Sequence, residues 1–503
     1  MTNIIKLRKE SSSKKNPAHF FEKNKKSFKK HLTKQSKCAV DLLTSVNKST
    51  LVNRRVTLIS TRRITMKYTT KSIKRTLKKT INEISAHPEL FAKNPGRDFT
   101  RTRKLPFKQT VKAIISMSGK SLRGELMDFF NLDTSAPTVS AFIQQRNKIS
   151  YHAFEALFHS FTNAIDEQKL YRGYRLLAVD GSDLHTPTNR KEVESFYQNA
   201  KEHKPFNILH LNALYDINRN IYIDAIVQPI KFRNEHKAFV SMVDRDNSDI
   251  PTIYIADRGC ESYNNMAHVI EKGQKFLFRV KDIKSHGIVS GFPLPDEEEF
   301  DITISFGLTR KQSKDTKNSN LNFISHTSPF DYLPAFSRKN IAVSPYYMTL
   351  RIIRFKLSEG LYEVLISNLS DEEFSTNTVK ELYSMRWGIE TSFRNLKYTL
   401  SLRLFHSKKT EYILQEVFAK LTMYNFAELI TSHVVIRQKS RKFIYQINFS
   451  AAIHICRSFF LKNISPSTVE TLLLQHLLPI RKGLSNPRNA QARPAVGFSY
   501  RIP

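Results

Sequence analysis

Apolar positions follow two different periods along this chain, and the changes of period divide it. From Lys71 the spacing is helical. Ile73 is followed by Leu77, Ile81 and Ile84 at offsets of 4, 8 and 11, one face of a helix over 71–87. Pro95-Gly96 breaks that pattern, and further helices are expected over 107–117, 120–131 and 137–169. The last carries Phe142, Ile149, Phe154, Leu157 and Phe161 and reads as one element with room for a kink. At Tyr171 the pattern changes to strands. Arg175–Val179 is a short apolar run that ends in Asp180-Gly181. His210–Tyr215 and Ile221–Gln228 flank a turn at 216–220, a hairpin signal. Asn234–Val243 is helical, Pro251–Ala256 is an apolar strand ending in Asp257-Arg258-Gly259, Ser262–Lys272 is a helix and Lys275–Val280 a strand. Strands and helices in that succession describe a mixed α/β sheet.

Between 282 and 370 the alternation of Phe300–Phe306, Tyr346–Leu357 and Tyr362–Leu369 predicts an antiparallel β-rich insert. Ser358-Glu359-Gly360 turns its last two strands into a hairpin, and Arg310–Asn320 is a polar, mobile loop. A long helix is expected over 372–400, then helices over 410–437, 448–462 and 464–478, with Leu421, Tyr424, Phe426 and Leu429 in the core. A basic tail begins at Pro479, and no internal repeat is visible. The segments expected are therefore 1–65, a basic extension; 66–170, a helical domain; 171–281, the first part of an α/β core; 282–370, the insert; 371–410, the rest of the core; and 411–503, a helical C-terminal region.

The long helix carries the densest chemistry. Tyr383, Arg386, Glu390 and Lys397 stand at offsets 0, 3, 7 and 14, which keeps them within one stripe at 3.6 residues per turn. Met385, Ile389, Phe393 and Leu396 form a second, apolar stripe able to dock on a core. Taken alone, the polar stripe is equally a solvated salt-bridge face.

Charge shifts that balance. The chain of 503 residues has a net charge of +35 and a pI near 9.9, so its natural partner is a polyanion, nucleic acid before an anionic membrane surface. Residues 1–65 hold 17 Lys/Arg against 3 Asp/Glu and lack a clear apolar period, which reads as a flexible arm binding phosphates without sequence preference. Arg101, Arg103, Lys104, Lys108 and Lys112 give the helical segment a basic surface suited to DNA. No apolar run reaches 18 residues, so no membrane span is expected. Cys38, Cys260 and Cys456 are far apart and odd in number, which points to a reducing compartment and away from zinc or disulfide scaffolds.

Three acids stand where chemistry would place them: Asp180 and Asp257 at the ends of apolar strands, Glu390 on the helix. Sites in α/β sheets collect at the carboxyl ends of strands, although an Asp there is also an ordinary turn or cap residue. Three carboxylates packed together need a cation to neutralise them, and oxygen ligands select Mg²⁺ or Mn²⁺. Two such ions about 4 Å apart can drive phosphoryl transfer, with neighbouring Arg and Lys holding phosphates.

These residues also carry a resemblance. Tyr383–x2–Arg386–x3–Glu390–x6–Lys397 matches the Tyr-Arg-Glu-Lys signature of bacterial insertion-sequence DDE transposases of the group called IS four. LLAVDGSDLHTP resembles that group's first Asp motif and IYIADRGCESYN its second, while FTRTRKLPFKQTV and TVSAFIQQRNKIS look like its helical leader. The likeness runs from about Met66 to the tail, which leaves 1–65 as an extension. It implies an RNase H-like catalytic core with a β-rich insert between the second and third acids, here 133 residues apart (390 − 257). It implies that Asp180, Asp257 and Glu390 hold two Mg²⁺ ions, with Mn²⁺ also suited, and that Tyr383, Arg386 and Lys397 contact DNA near the cut. The implied reaction is metal-dependent hydrolysis at transposon ends followed by 3′-OH attack on target DNA. This is cut-and-paste transposition through a hairpin, without a covalent protein intermediate. The implied partners are double-stranded DNA and a second copy in a synaptic homodimer, within the bacterial cytoplasm. Two other readings stand beside it: an inactive, transposase-derived DNA-binding protein, and a structure-specific nuclease without strand transfer.

Neighbouring residues invite other assignments. Asp183 lies close to Asp180, but Asp180 follows the apolar run directly. Trp387, the only Trp, is read as core before base-stacking; Ser182 and His185 lack an acid partner; Asn234-Glu235 is read as a helix cap; Cys260 as a small buried residue.

Overall fold

A computed structural model describes residues 68–480 apart from 102, 199–204, 312–319, 336, 338–340, 343 and 438–442. The basic extension, most of the loop expected at 310–320 and the tail past Ile480 lie outside the described residues. Helix α1 (Thr70–Ala86) begins at a reciprocal cap, in which the Thr69 hydroxyl accepts from the Ser72 N–H and the Ser72 hydroxyl accepts from the Thr69 N–H. It buries Ile73, Leu77, Ile81 and Ile84, the face its spacing predicts. Helices α2 (Phe107–Ser116) and α3 (Leu122–Phe129) follow. The single helix expected over 137–169 is two, α4 (Val139–Arg146) and α5 (His152–Asn163). Residues between them pair instead with the loop before α2. The Lys93 N–H donates to the Lys148 carbonyl and the Ser150 N–H to the Phe91 carbonyl, so long-range partners override the local helical pattern.

The large sheet has the order β2–β3–β1–β5–β6–β10–β9–β7–β8, with β4 also on β3. Its strands are β1 (Arg175–Thr186), β2 (Phe196–Tyr197), β3 (Phe206–Asp216), β4 (Ile221–Pro229), β5 (Thr252–Ala256), β6 (Lys275–Val280), β7 (Phe300–Thr309), β8 (Leu321–Phe323), β9 (Tyr346–Ser358) and β10 (Leu361–Ser367). Helix α6 (Glu235–Arg245) links β4 to β5, and α7 (Tyr263–Glu271) links β5 to β6. β1 is antiparallel to β3, which is antiparallel to β4; β5 and β6 run parallel to β1. That is the mixed, RNase H-like sheet expected. β10 then pairs antiparallel with β6, so the strands between the second and third acids extend the same sheet.

Two expectations about the site's elements need correction. Asp180 does not end its strand. β1 runs on to Thr186, because its second half keeps β3 as partner after β5 has stopped. The long helix over 372–400 is broken: α8 (Thr376–Met385), α9 (Trp387–Arg394) and a π turn at Asn395–Thr399. At Arg386 the chain tightens, its N–H bonding Tyr383 and its carbonyl accepting from Ile389.

Helix α10 (Thr410–His433) is buried along most of its length. It is followed by β11 (Ile444–Ile447), α11 (Phe449–Leu461), α12 (Pro466–Gln475) and β12 (Leu477–Ile480). The helix expected at 464–478 therefore stops at Gln475, and the next residues pair with β11. One apolar cluster joins Ile73, Phe154, Tyr222, Ile389, Phe426 and Phe459, so the N-terminal helices, the β3–β4 side of the sheet, α9 and the C-terminal helices share a core.

Candidate active site

The sheet register places the first two acids side by side. Val179 is opposite Ala256 in the last parallel pair of β1 and β5. The next residue on each strand is Asp180 and Asp257, on strands about 4.8 Å apart. β5 ends there, and the Asp257 carboxylate accepts from the Arg258 N–H as a short turn begins. Asp180 likewise accepts from the Gly181 N–H.

The third acid arrives on α9. This helix and the π turn after it are pinned by Ile389, Phe393 and Leu396, all buried in the shared core, and by the Tyr222 hydroxyl 2.6 Å from Ser392 Oγ. Met385, the fourth residue of the expected apolar stripe, packs on a separate cluster beneath the sheet. Glu390 then projects toward Asp180 and Asp257, and Arg386 lies among the three. Its Nη2 donates to Glu390 Oε1 at 2.8 Å and stands 3.8 Å from Asp257 Oδ2, while Nη1 is 3.5 Å from Asp180 Oδ2. Arg386 is only 1% exposed and Tyr383 2%. The Tyr383 hydroxyl donates to Asp257 Oδ1 at 3.5 Å. Both side chains are buried here and turned in toward the carboxylates. Trp387 is half-buried, its ring 5.4 Å from the Arg386 guanidinium.

The electrostatics follow from this packing. Burial pushes the Asp180 carboxyl up to about 6, against the pull of Arg386 and the Gly181 N–H. Burial acts the same way on Asp257, but Arg386, Arg279 and the Arg258 N–H together outweigh it and hold that carboxyl below its ordinary value. Lys397 is half-buried; burial lowers its ammonium, Arg403 adds to this, and Asp183 and Asp180 oppose it. It stands on the Asp180 side of the site, apart from the Arg386 cluster.

Other sequence candidates fall into place around these. Asp183 is three residues on from Asp180, hence on the opposite strand face. It accepts from His210 Nδ1 at 2.6 Å and faces Arg233. Asn234 caps α6, accepting from the Lys237 N–H. Glu235 does more than begin that helix: it pairs with Arg233, lies 3.2 Å from His210 Nε2, and lines a cavity of about 110 Å³ together with Asp180, Asp257, Asn212 and the buried Cys260. His185 rests on Phe206 and forms no pair with Ser182 among the described contacts.

Sequence reasoning missed a chain of charge behind Asp257. Arg279 on β6 places Nη1 3.7 Å from Asp257 and Nε 3.0 Å from Glu363 on β10, which is 1% exposed. Each is the one charge in the middle of an apolar strand, FLFRV and LYEVLI, and a lone buried charge calls for a partner. That was the available signal.

Among the described residues no three His, Cys, Asp or Glu side chains close tightly enough to enclose an ion; the three carboxylates gather on a guanidinium instead. A comparison with curated proteins finds no match. Among solved structures, the chain is similar to that of a piggyBac transposase synaptic complex with hairpin DNA, determined by cryo-EM. The identity is 9%, over 86% of this chain and 90% of that one, with a TM-score of 0.44. The family profile described as "Transposase DDE domain" matches residues 171–426, a span that begins just before β1 and takes in Asp180, Asp257 and Glu390. The chain belongs to the transposase DDE domain family.

Proposed function

We propose that this protein cuts DNA at the ends of an insertion sequence and joins the freed 3′ ends to a target, by metal-dependent phosphoryl transfer at Asp180, Asp257 and Glu390. The observation that carries the reading is the convergence of three carboxylates, from β1, the end of β5 and α9, within 3.8 Å of a single guanidinium. Like charge concentrated to this degree is costly without a cation among the oxygens, which supports a site for cationic chemistry.

The donor set fits divalent metal. All three groups are hard carboxylate oxygens and part-exposed, and Asp180 and Asp257 line open space, which suits Mg²⁺ or Mn²⁺. Bound there, two divalent ions would supply Lewis acidity to the attacking and leaving oxygens. The chain's own residues do the rest. Asp180 and Asp257 are fixed by the parallel register, and Glu390 by the apolar docking of α9. Lys397, with Arg403 beside it, offers positive charge for a phosphate entering on the Asp180 side. Double-stranded DNA at the transposon ends and in the target is the substrate, and holding two ends implies a homodimer when DNA is bound. Excision by cut-and-paste through a hairpin belongs to the same reading.

The test is to search the flanking DNA for terminal inverted repeats and to assay cleavage of labelled DNA carrying them, with Mg²⁺ or Mn²⁺. Wild-type protein should nick or cut at the repeat boundary. Asp180→Asn, Asp257→Asn and Glu390→Gln should each lose about 100-fold or more in rate while remaining folded. Binding without cutting by the wild type would favour an inactive DNA-binding derivative, and cutting without strand transfer would favour a nuclease.

A further inference from the structure

We infer that Arg386 is a resident counter-ion: its guanidinium holds Asp180, Asp257 and Glu390 together in the metal-free protein and competes with divalent cations for them. The inference rests on the reading that those carboxylates take metal. The geometry behind it is the seat itself. The guanidinium is buried, with the Tyr383 and Trp387 rings 5.8 and 5.4 Å away, so water screens its charge little. Its fork is shared among three acids. Only Glu390 receives a hydrogen bond, at 2.8 Å; Asp180 and Asp257 stand at 3.5 and 3.8 Å.

Such a seat is a compromise. A guanidinium binds a carboxylate best through two parallel N–H bonds, and none of the three acids receives that here. Nε and Nη1 are buried without a hydrogen-bond partner, which leaves the side chain under-satisfied where it sits. Arg279 gives Asp257 a second positive neighbour, at 3.7 Å as near as Arg386; Asp180 and Glu390 have no other ion pair among the described contacts. A divalent ion entering between these oxygens would occupy the space that the guanidinium borders and would be repelled by it. Removing the charge should therefore weaken the empty site and strengthen its affinity for metal. A residue that only packs the helix would weaken both.

Calorimetric titration of the full chain with Mn²⁺, in the absence of DNA, separates these outcomes. Arg386→Gln should bind Mn²⁺ at least tenfold more tightly than wild type, and Arg386→Lys, which keeps the charge, should stay within a few-fold of wild type. In EDTA, Arg386→Gln should melt at a lower temperature than wild type and regain the difference when Mn²⁺ is added. The inference is overturned if folded Arg386→Gln binds Mn²⁺ equally or less tightly, or if its loss of melting temperature is not restored by cations. Asp180→Asn and Glu390→Gln distinguish this from failure of the metal reading. If they leave wild-type Mn²⁺ binding unchanged, the site does not take metal and both ideas fall. If they abolish it while Arg386→Gln binds no tighter, only the counter-ion inference falls.

Discussion

Gly181 stands directly after the first acid, and its lack of a side chain is a requirement of the site. A Cβ there would overlap Nε2 of His210 on the neighbouring strand. His210 has nowhere to retreat, since it is 2% exposed and tied through Nδ1 to Asp183 at 2.6 Å. Gly181→Ala should therefore cost about 1–3 kcal/mol in stability, the usual penalty of overpacking, and should slow DNA cleavage by displacing Asp180. Urea denaturation and cleavage rates on the same preparation check this; a variant of wild-type stability would show that His210 can move. The packed His210 was invisible in the sequence, where HLNALY reads only as an apolar strand. Asp180 and Asp257 were legible, because each follows an apolar run directly. Their adjacency was not, because it depends on which strands pair and in what register.

At the scale of elements, the joint between α4 and α10 decides how the N-terminal helices are held. Arg146, 1% exposed, gives Nε to Gln415 at 2.7 Å and Nη1 to Glu416 at 3.1 Å, and Glu416 also accepts from His406 Nδ1 at 3.0 Å. Burial alone would raise the Glu416 carboxyl, but His406, Arg146 and Lys420 outweigh it and hold it far below the ordinary range. A carboxyl depressed in the fold stabilises it above the unfolded pKa, near 4.3, and loses that contribution as pH falls further. Thermal melts should thus show wild type losing stability below about pH 4, with Glu416→Gln less sensitive there. At pH 7, Arg146→Ala should cost about 3 kcal/mol, because it removes one cation from a buried carboxylate and leaves it to His406 and Lys420. A cost under 1 kcal/mol would mean that His406 and Lys420 suffice to balance Glu416. The positions of these helices were readable from their periodicity, with the exceptions of 137–169 and 372–400. Both run on as helical patterns in the sequence and break in the fold, where backbone groups find distant partners or tighten around a charged residue.

Across the whole molecule, the proposed DNA substrate would be drawn in by overall charge more than by any single contact. The net charge is +35, and residues 1–65 alone carry 17 Lys/Arg against 3 Asp/Glu. Each phosphate neutralised by a basic group steepens the fall of binding with salt by about 0.9 in log–log slope. Removing residues 1–65 should therefore lower affinity for random duplex DNA and flatten that slope, measured by fluorescence anisotropy between low and moderate salt. Metal-dependent cleavage of specific ends should persist, since α1 and everything after it, including Asp180, Asp257 and Glu390, remain. Loss of specific end binding on truncation would give the segment a recognition role. Among the described residues no helix is long and apolar enough to cross a membrane.

The run of charge from Glu363 through Arg279 to Asp257 crosses three neighbouring strands, and it has a consequence for protein engineering. β10 belongs to the stretch between the second and third acids, yet its buried carboxylate is matched to a base on β6. That stretch is therefore not an exchangeable cassette. Grafted into a relative without an arginine at the corresponding place on β6, it would bring an orphaned acid into the interior. Replaced here by a stretch lacking Glu363, it would leave Arg279 with Asp257 as its one carboxylate partner, beside the Tyr383 hydroxyl. A chimera should function only when Glu363 and Arg279 are transplanted as a pair.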